Sequence, residues 1–298
     1  MGLSMPLTPT SINPVSRRAV ILGLATAGLA SCSALGTFNT LVPGDSGGDR
    51  IAEGLAYGEL PRQKLDIYAP PGARGLPTVL FIYGGSWNSG SRSEYGFLGQ
   101  ALSSRGFVVA VADYRLVPEV LYPDFLDDGA LALKWLRDHA INYGGDPSKL
   151  FIMGHSAGAY NAMMVALDQR LTAGVGLRGQ VLRGAIGLAG PYDFLPLDVD
   201  ATRDAFGKWP NLPETQPVNH ATRFAPPSFL ATGDADDLVF PRNTYALAKK
   251  LRAAGRPVEE RTYPGVGHVG LLTAFSRPFR DKGPVLDDVA RFIKAHAG

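Results

Sequence analysis

Cysteine is nearly absent from this chain of 298 residues: Cys32 stands alone, so no intramolecular disulfide can brace the fold. An excess of one charge is lacking too. Residues 1–32 hold two of the 29 basic residues, Arg17 and Arg18, and none of the 27 acidic ones, which leaves 27 of each beyond them. A formally neutral body gives no electrostatic reason for a nucleic-acid or anionic-surface partner. The chain has five histidines, and none stands with a cysteine or second histidine at metal-ligand spacing, so no metal site is expected. Internal repeats, heptad runs and apolar stretches long enough to cross a bilayer as a helix are all missing.

What is present begins with an address. Ser16-Arg17-Arg18 precedes the apolar stretch Ala19 to Ala30, and Leu29-Ala30-Ser31-Cys32 closes it. A cationic segment followed by a short apolar one makes an export signal, too short to span as a helix. The paired arginines resemble the twin-arginine signal. The last four residues resemble the lipobox of bacterial lipoproteins, in which the cysteine is diacylated and becomes the new N-terminus. A simple cleavable signal with a coincidental cysteine is the alternative. Residues 1–32 are therefore expected as a removed signal, with lipidation at Cys32 and an exported, periplasmic or membrane-anchored bacterial protein as the outcome. Residues 33–53, small, polar and glycine-rich at first, read as a flexible tether. The domain proper is expected over 54–298, long enough for one large core or two small ones.

Within it, buried strands and helices alternate. Gly54 to Leu60 and Lys64 to Tyr68 alternate apolar and polar residues, the pattern of an antiparallel hairpin at a sheet edge. Thr78 to Tyr83, Phe107 to Ala112, Leu150 to Met153, Val181 to Leu188, Ser228 to Thr232 and Val258 to Tyr263 are short runs fit for parallel strands. Between them lie helical patterns at 94–105, from Pro123 to Ala140, from Ala159 to Leu167 and from Pro241 to Gly255, with a last one from Val285 to His296. The alternation predicts an α/β fold with a mostly parallel central sheet and helices on both faces. Residues 191–227 break the pattern with recurrent prolines and with Phe206, Trp209 and Phe224. They read as a small irregular lid insert, or else as a surface excursion packing its own aromatics.

Gly154-His155-Ser156-Ala157-Gly158 joins a buried strand to a helix. With 36 glycines in the chain, a bare Gly-x-Ser-x-Gly arises by chance about once in four such sequences, so its flanks carry the argument. Strand, Gly-x-Ser-x-Gly and helix together form a nucleophile elbow, a strained turn that exposes the serine hydroxyl above the sheet. A serine hydroxyl needs a base. His139 and His296 lie late in helices, His220 in the insert, and His155 beside the serine. His268 alone lies in a glycine-flanked loop after a strand, where an imidazole can swing over the sheet. Three acids, Asp234, Asp236 and Asp237, follow the strand ending at Thr232, where a carboxylate can reach that imidazole. The chain order serine, acid, histidine is that of α/β-hydrolases and not of chymotrypsin or subtilisin.

Tyr83-Gly84-Gly85-Ser86-Trp87, Asp113-Tyr114-Arg115, Gly144-Gly145-Asp146-Pro147, Gly154 to Gly158, Gly233-x-x-Asp236-x-x-Val239 and His268 together resemble the α/β-hydrolases of the esterase/lipase superfamily. The likeness is greatest to the bacterial carboxylesterases that include bifunctional feruloyl/acetyl-xylan esterases and kynurenine-formamidase-like proteins. It implies the α/β-hydrolase fold, and Asp236 as the acid, three residues after Gly233 and three before Val239. It also implies an oxyanion hole made by the amides of Gly85, Ser86 and Ala157, after a strand where the family usually has histidine in place of Tyr83. The reaction expected is hydrolysis of a small carboxylic ester through Ser156, His268 and Asp236, with no metal or cofactor. Hydrolysis of a formamide or peptide C–N bond is the second reading, and a non-catalytic binding module the third. Neither the oligomeric state nor the acyl group is readable.

Overall fold

The computed structural model describes residue 1 and residues 31–298. The paired arginines and the apolar stretch of the expected signal lie outside the described residues. In chain order the elements are helix α1 (Ser31–Leu41), strands β1 (Asp49–Ala56), β2 (Lys64–Ala69) and β3 (Leu76–Ile82), α2 (Gly96–Ser103), β4 (Val108–Ala112) and α3 (Asp124–His139). β5 (Gly145–His155), α4 (Ala157–Leu167), α5 (Gln169–Gly174), β6 (Leu182–Leu188) and α6 (Asp200–Phe206) follow. The chain closes with β7 (Ser228–Gly233), α7 (Arg242–Ala253), β8 (Val258–Tyr263), α8 (His268–Thr273) and α9 (Val285–His296).

The eight strands form one sheet in the order β1-β2-β4-β3-β5-β6-β7-β8. β1 and β2 are antiparallel to their neighbours, and β3 to β8 run parallel, as the apolar runs predict. Because successive side chains of a strand point to opposite faces, each inner strand feeds two layers. On β3, Phe81 packs on Tyr95 while Ile82 lies against Gly129 of α3. Phe151 of β5, on the same face as Phe81 by register, meets Phe292 of α9. Helices α2 and α9 thus cover one face, and α3 with α4 the other. The order reverses at β3, which pairs with β4 on one side and β5 on the other. The loops leaving β3 and β5 therefore stand side by side, the place where open α/β sheets hold their ligands.

One expectation is corrected here. Residues 33–53, read as a flexible tether, hold α1 and the first half of β1. Leu35, Phe38 and Val42 recur at helical spacing and pack on the core. Phe38 meets Phe97 edge-on at 5.2 Å, and Asn39 accepts the Phe97 N–H through Oδ1 at 2.8 Å. The sheet begins at Asp49, which pairs with Ala69, and not at Gly54. The glycines around 44–48 hid these few apolar residues in the local composition. Among the described residues no helix is long and apolar enough to cross a membrane.

Candidate active site

β5 ends at His155 and α4 begins at Ala157, so Ser156 is the entire turn between strand and helix. Its φ of 57° and ψ of −128° lie outside the regions open to a relaxed L-residue, at a cost of about 1–3 kcal/mol. Neighbours on both sides hold it there. The Ser156 N–H donates to the Leu188 carbonyl at 2.9 Å, continuing the β5–β6 pairing. The flanking glycines permit the close approach. A Cβ on Gly154 would come within 2.1 Å of the Gly158 carbonyl oxygen, and one on Gly158 within 2.1 Å of the Ile82 oxygen. The serine is left half-buried with its hydroxyl above the sheet, at the positive end of α4.

His268 meets it across 112 residues of sequence: Nε2 lies 2.8 Å from Ser156 Oγ. Its Nδ1 lies 2.8 Å from Oδ2 of Asp236. The imidazole sits on the first residue of α8, capped by Gly267, and not within the loop as expected. Asp236 is buried, and its other oxygen accepts the N–H groups of Leu238 at 3.1 Å and Val239 at 2.8 Å. Burial alone would raise its pKa. The bond from His268, the charge of that ring and the two amides outweigh burial and hold the carboxyl below its ordinary range. An ionised Asp236 fixes the proton on Nδ1 and leaves the Nε2 lone pair for the serine hydroxyl. The other two acids point elsewhere. Asp234 is exposed and accepts the Gly265 N–H at 2.6 Å, bracing a neighbouring loop, and Asp237 is exposed.

The loop after β3 runs beside this line. A Cβ on Gly84 would come within 2.8 Å of Ser156 Cβ, so the two loops touch. Gly85, Ser86 and Trp87 have consecutive φ values of 120°, 52° and 60°. The amides of Gly85, Ser86 and Ala157 have no hydrogen-bond partner among the described residues. Trp87 is buried, and its indole N–H donates to Asn161 Oδ1 on α4 at 3.0 Å. Its ring meets Phe206 at 4.8 Å and Tyr160 at 5.3 Å, both edge-on. Phe206 and Phe194 belong to the 191–227 insert, whose aromatics therefore pack on the catalytic-face loop and on α3 and α4. Phe224 stays exposed.

His155 has a part that sequence reasoning missed. It is fully enclosed, with Nε2 3.1 Å from the main-chain oxygen of His268. Burial, then the adjacent His268, lower its pKa to about 3. The neutral ring must donate from Nε2, because a carbonyl only accepts. A glycine-rich elbow gives no hint of this bond, whose acceptor is backbone. Cys32 falls in the first turn of α1. Among the described residues no three His, Cys, Asp or Glu side chains converge as metal ligands would.

A family model described as BD-FAE matches residues 65–251, more than half of the chain, including Ser156 and Asp236 and stopping short of His268. The carboxylesterase NlhH of Mycobacterium tuberculosis is 32% identical over 236 residues, 72% of this chain and 73% of its own length. Isoprenylcysteine alpha-carbonyl methylesterase ICME of Arabidopsis thaliana is 28% identical over 272 residues; the match covers 83% of this chain and 62% of that protein. Among solved structures, esterase B from Lactobacillus rhamnosis superposes with a TM-score of 0.79 at 20% identity, over 94% of this chain and 96% of that one, and so shares the fold. The chain belongs to the BD-FAE family, within the esterase/lipase superfamily of α/β-hydrolases.

Proposed function

We propose that this protein is a serine carboxylesterase that cleaves small carboxylic esters through an acyl-enzyme on Ser156. The observation that carries the reading is the unbroken line Ser156 Oγ, His268 imidazole, Asp236 carboxylate, with both links at 2.8 Å. Within it His268 accepts the serine proton as Oγ attacks the acyl carbon, and Asp236 stabilises the imidazolium that forms. The proton passes to the departing alkoxide, the alcohol leaves, and a water deprotonated by His268 releases the acid and restores Ser156. The unpartnered amides of Gly85, Ser86 and Ala157 are the donors available to the developing oxyanion, each such donor being worth about 10²–10³ in rate. The carboxylic ester is also the bond class that the names of ICME and NlhH share.

The test is hydrolysis of p-nitrophenyl butyrate together with labelling by a fluorophosphonate. The parent is expected to turn over and to label at Ser156. Ser156→Ala is expected to lose the label and at least about a thousandfold in kcat. Parental turnover by Ser156→Ala refutes the proposal.

A further inference from the structure

We propose that Arg62, Tyr83 and Asp113 clamp the loop of residues 84–91 in the shape its amides need, which makes Arg62 and Tyr83 positioning residues for ester hydrolysis. The inference rests on the esterase reading above and goes beyond it, because neither side chain touches the reacting atoms.

The loop requires a clamp. Three successive residues at positive φ, two of them not glycine, do not hold that shape by local preference. Bonds inside the loop fix only its middle: the N–H groups of Asn88 and Ser89 and the Ser89 hydroxyl all reach the Gly85 carbonyl. The two ends are tied from outside. At the entry, the Tyr83 hydroxyl donates to Asp113 Oδ1 at 2.8 Å and accepts from Arg62 Nη2 at 2.8 Å. At the exit, the same Nη2 donates to the Gly90 carbonyl at 2.8 Å, and the Arg92 N–H donates to Asp113 Oδ1 at 2.8 Å. One guanidinium and one carboxylate thus hold both ends of the loop.

Packing fixes the same geometry. The Tyr83 ring stacks on Tyr95 at 5.2 Å and leans on Tyr114 at 5.0 Å. Gly90 passes so near that a Cβ there would come within 2.6 Å of the ring. Asp113 is balanced on its other side by Arg92, which also reaches Asp66 Oδ1 at 2.7 Å. Burial, then Asp113, keep the Tyr83 phenol protonated, so it remains a donor. Arg62 itself comes from the turn between β1 and β2. Its acceptors are the Tyr83 hydroxyl and the carbonyls of Gly90 and Tyr114, all at the base of the loop.

A loop whose amides meet the oxyanion acts in the transition state, so loosening it lowers kcat and leaves KM in place. The experiment compares the parent with Tyr83→Phe, Arg62→Met and Arg62→Lys. It measures thermal midpoint, kcat and KM on p-nitrophenyl butyrate, and inhibition by an alkylboronic acid, whose tetrahedral adduct carries oxygen where the oxyanion forms. Tyr83→Phe keeps the ring and removes only the hydroxyl, and Arg62→Lys keeps the charge if Arg62→Met does not fold. Displacement by about 1 Å can cost a hundredfold. Tyr83→Phe and Arg62→Met are expected to lose at least about tenfold in kcat, with KM within about twofold and the boronate constant weakened in parallel. Arg62→Lys, which cannot reach all three acceptors, is expected between them and the parent. A lowered thermal midpoint with parental kcat and boronate affinity overturns the clamp and leaves a structural role only. A parent inert to both ester and boronic acid overturns the esterase reading itself.

Discussion

Replacing Asp236 by asparagine alters one atom of the site, and the surrounding bonds dictate which way the new amide turns. Oδ1 of Asp236 accepts two main-chain N–H groups, from Leu238 and Val239, while Oδ2 faces Nδ1 of His268. An asparagine satisfies the two amides only with its oxygen toward them, which directs its NH₂ at the imidazole. His268 must then present a lone pair at Nδ1 and carry its proton on Nε2. That nitrogen faces Ser156 Oγ at 2.8 Å and can no longer accept the hydroxyl proton. The side chain is nearly isosteric and its site is buried, so the fold should survive. The loss is therefore one of protonation state, which in serine hydrolases amounts to roughly ten-thousand-fold, or about 5–6 kcal/mol of transition-state stabilisation. The assay is kcat/KM on p-nitrophenyl butyrate at neutral pH for Asp236→Asn, Asp234→Asn and Asp237→Asn side by side. An asparagine at 234 can still accept the Gly265 N–H, and Asp237 is exposed, so both controls are expected within about twofold of the parent. An Asp236→Asn enzyme near parental rate, with Asp234→Asn or Asp237→Asn dead, would refute the assignment of the acid.

Two further expectations concern other parts of the chain. His155 titrates at about 3 in the fold and near 6.5 when unfolded, so the unfolded state binds the extra proton and stability falls as pH drops from about 6.5 towards 3. Urea titrations at pH 6.5 and 4.5 should show the parent losing about 2–3 kcal/mol more than His155→Gln, and equal losses would contradict the buried neutral ring. The window stays above the acid range in which Asp236, whose folded pKa is depressed, begins to withdraw its own contribution. We also propose that Cys32 carries lipid: mass spectrometry of the native mature N-terminus should find a diacylated cysteine, and an unmodified N-terminus beyond residue 32 would exclude it. Because α1 is docked through Phe38, about 9 Å of helix separates the two, and such an anchor would hold the domain close to its membrane.

Much of this arrangement was legible from residue patterns. The buried runs at 78–83, 107–112 and 150–153 became β3, β4 and β5, because continuous apolar character over so few residues suits a strand covered on both faces. The elbow was readable because a strained turn between strand and helix demands small residues at fixed offsets, and Gly154 and Gly158 supply them. The choice of Asp236 among three acids was implied by the family resemblance, whose pattern sets the acid between Gly233 and Val239, and the structure brings that carboxylate, and not its two neighbours, to His268. The reading failed where a short apolar pattern stood next to a glycine-rich stretch, as in α1 ahead of residues 44–48. In the 191–227 insert, broken periodicity gave no way to foresee that Phe194 and Phe206 would close on Trp87.

The polar contacts that escaped have one physical trait in common. Arg62 donates to the carbonyls of Gly90 and Tyr114, and His155 faces the carbonyl of His268. A main-chain oxygen belongs to every residue, so a bond to it leaves no mark on the partner's identity and no spacing rule to find. Side-chain pairs such as Ser156–His268 and His268–Asp236 constrain two residue types at once, and so stand out in a sequence. The line Ser156, His268, Asp236 is of the second kind. The supports beneath it, Arg62 under the loop at 84–91 and His155 under His268, are of the first. The side-chain line could therefore be read from its residues, while the main-chain bonds that support it could be read only from the fold.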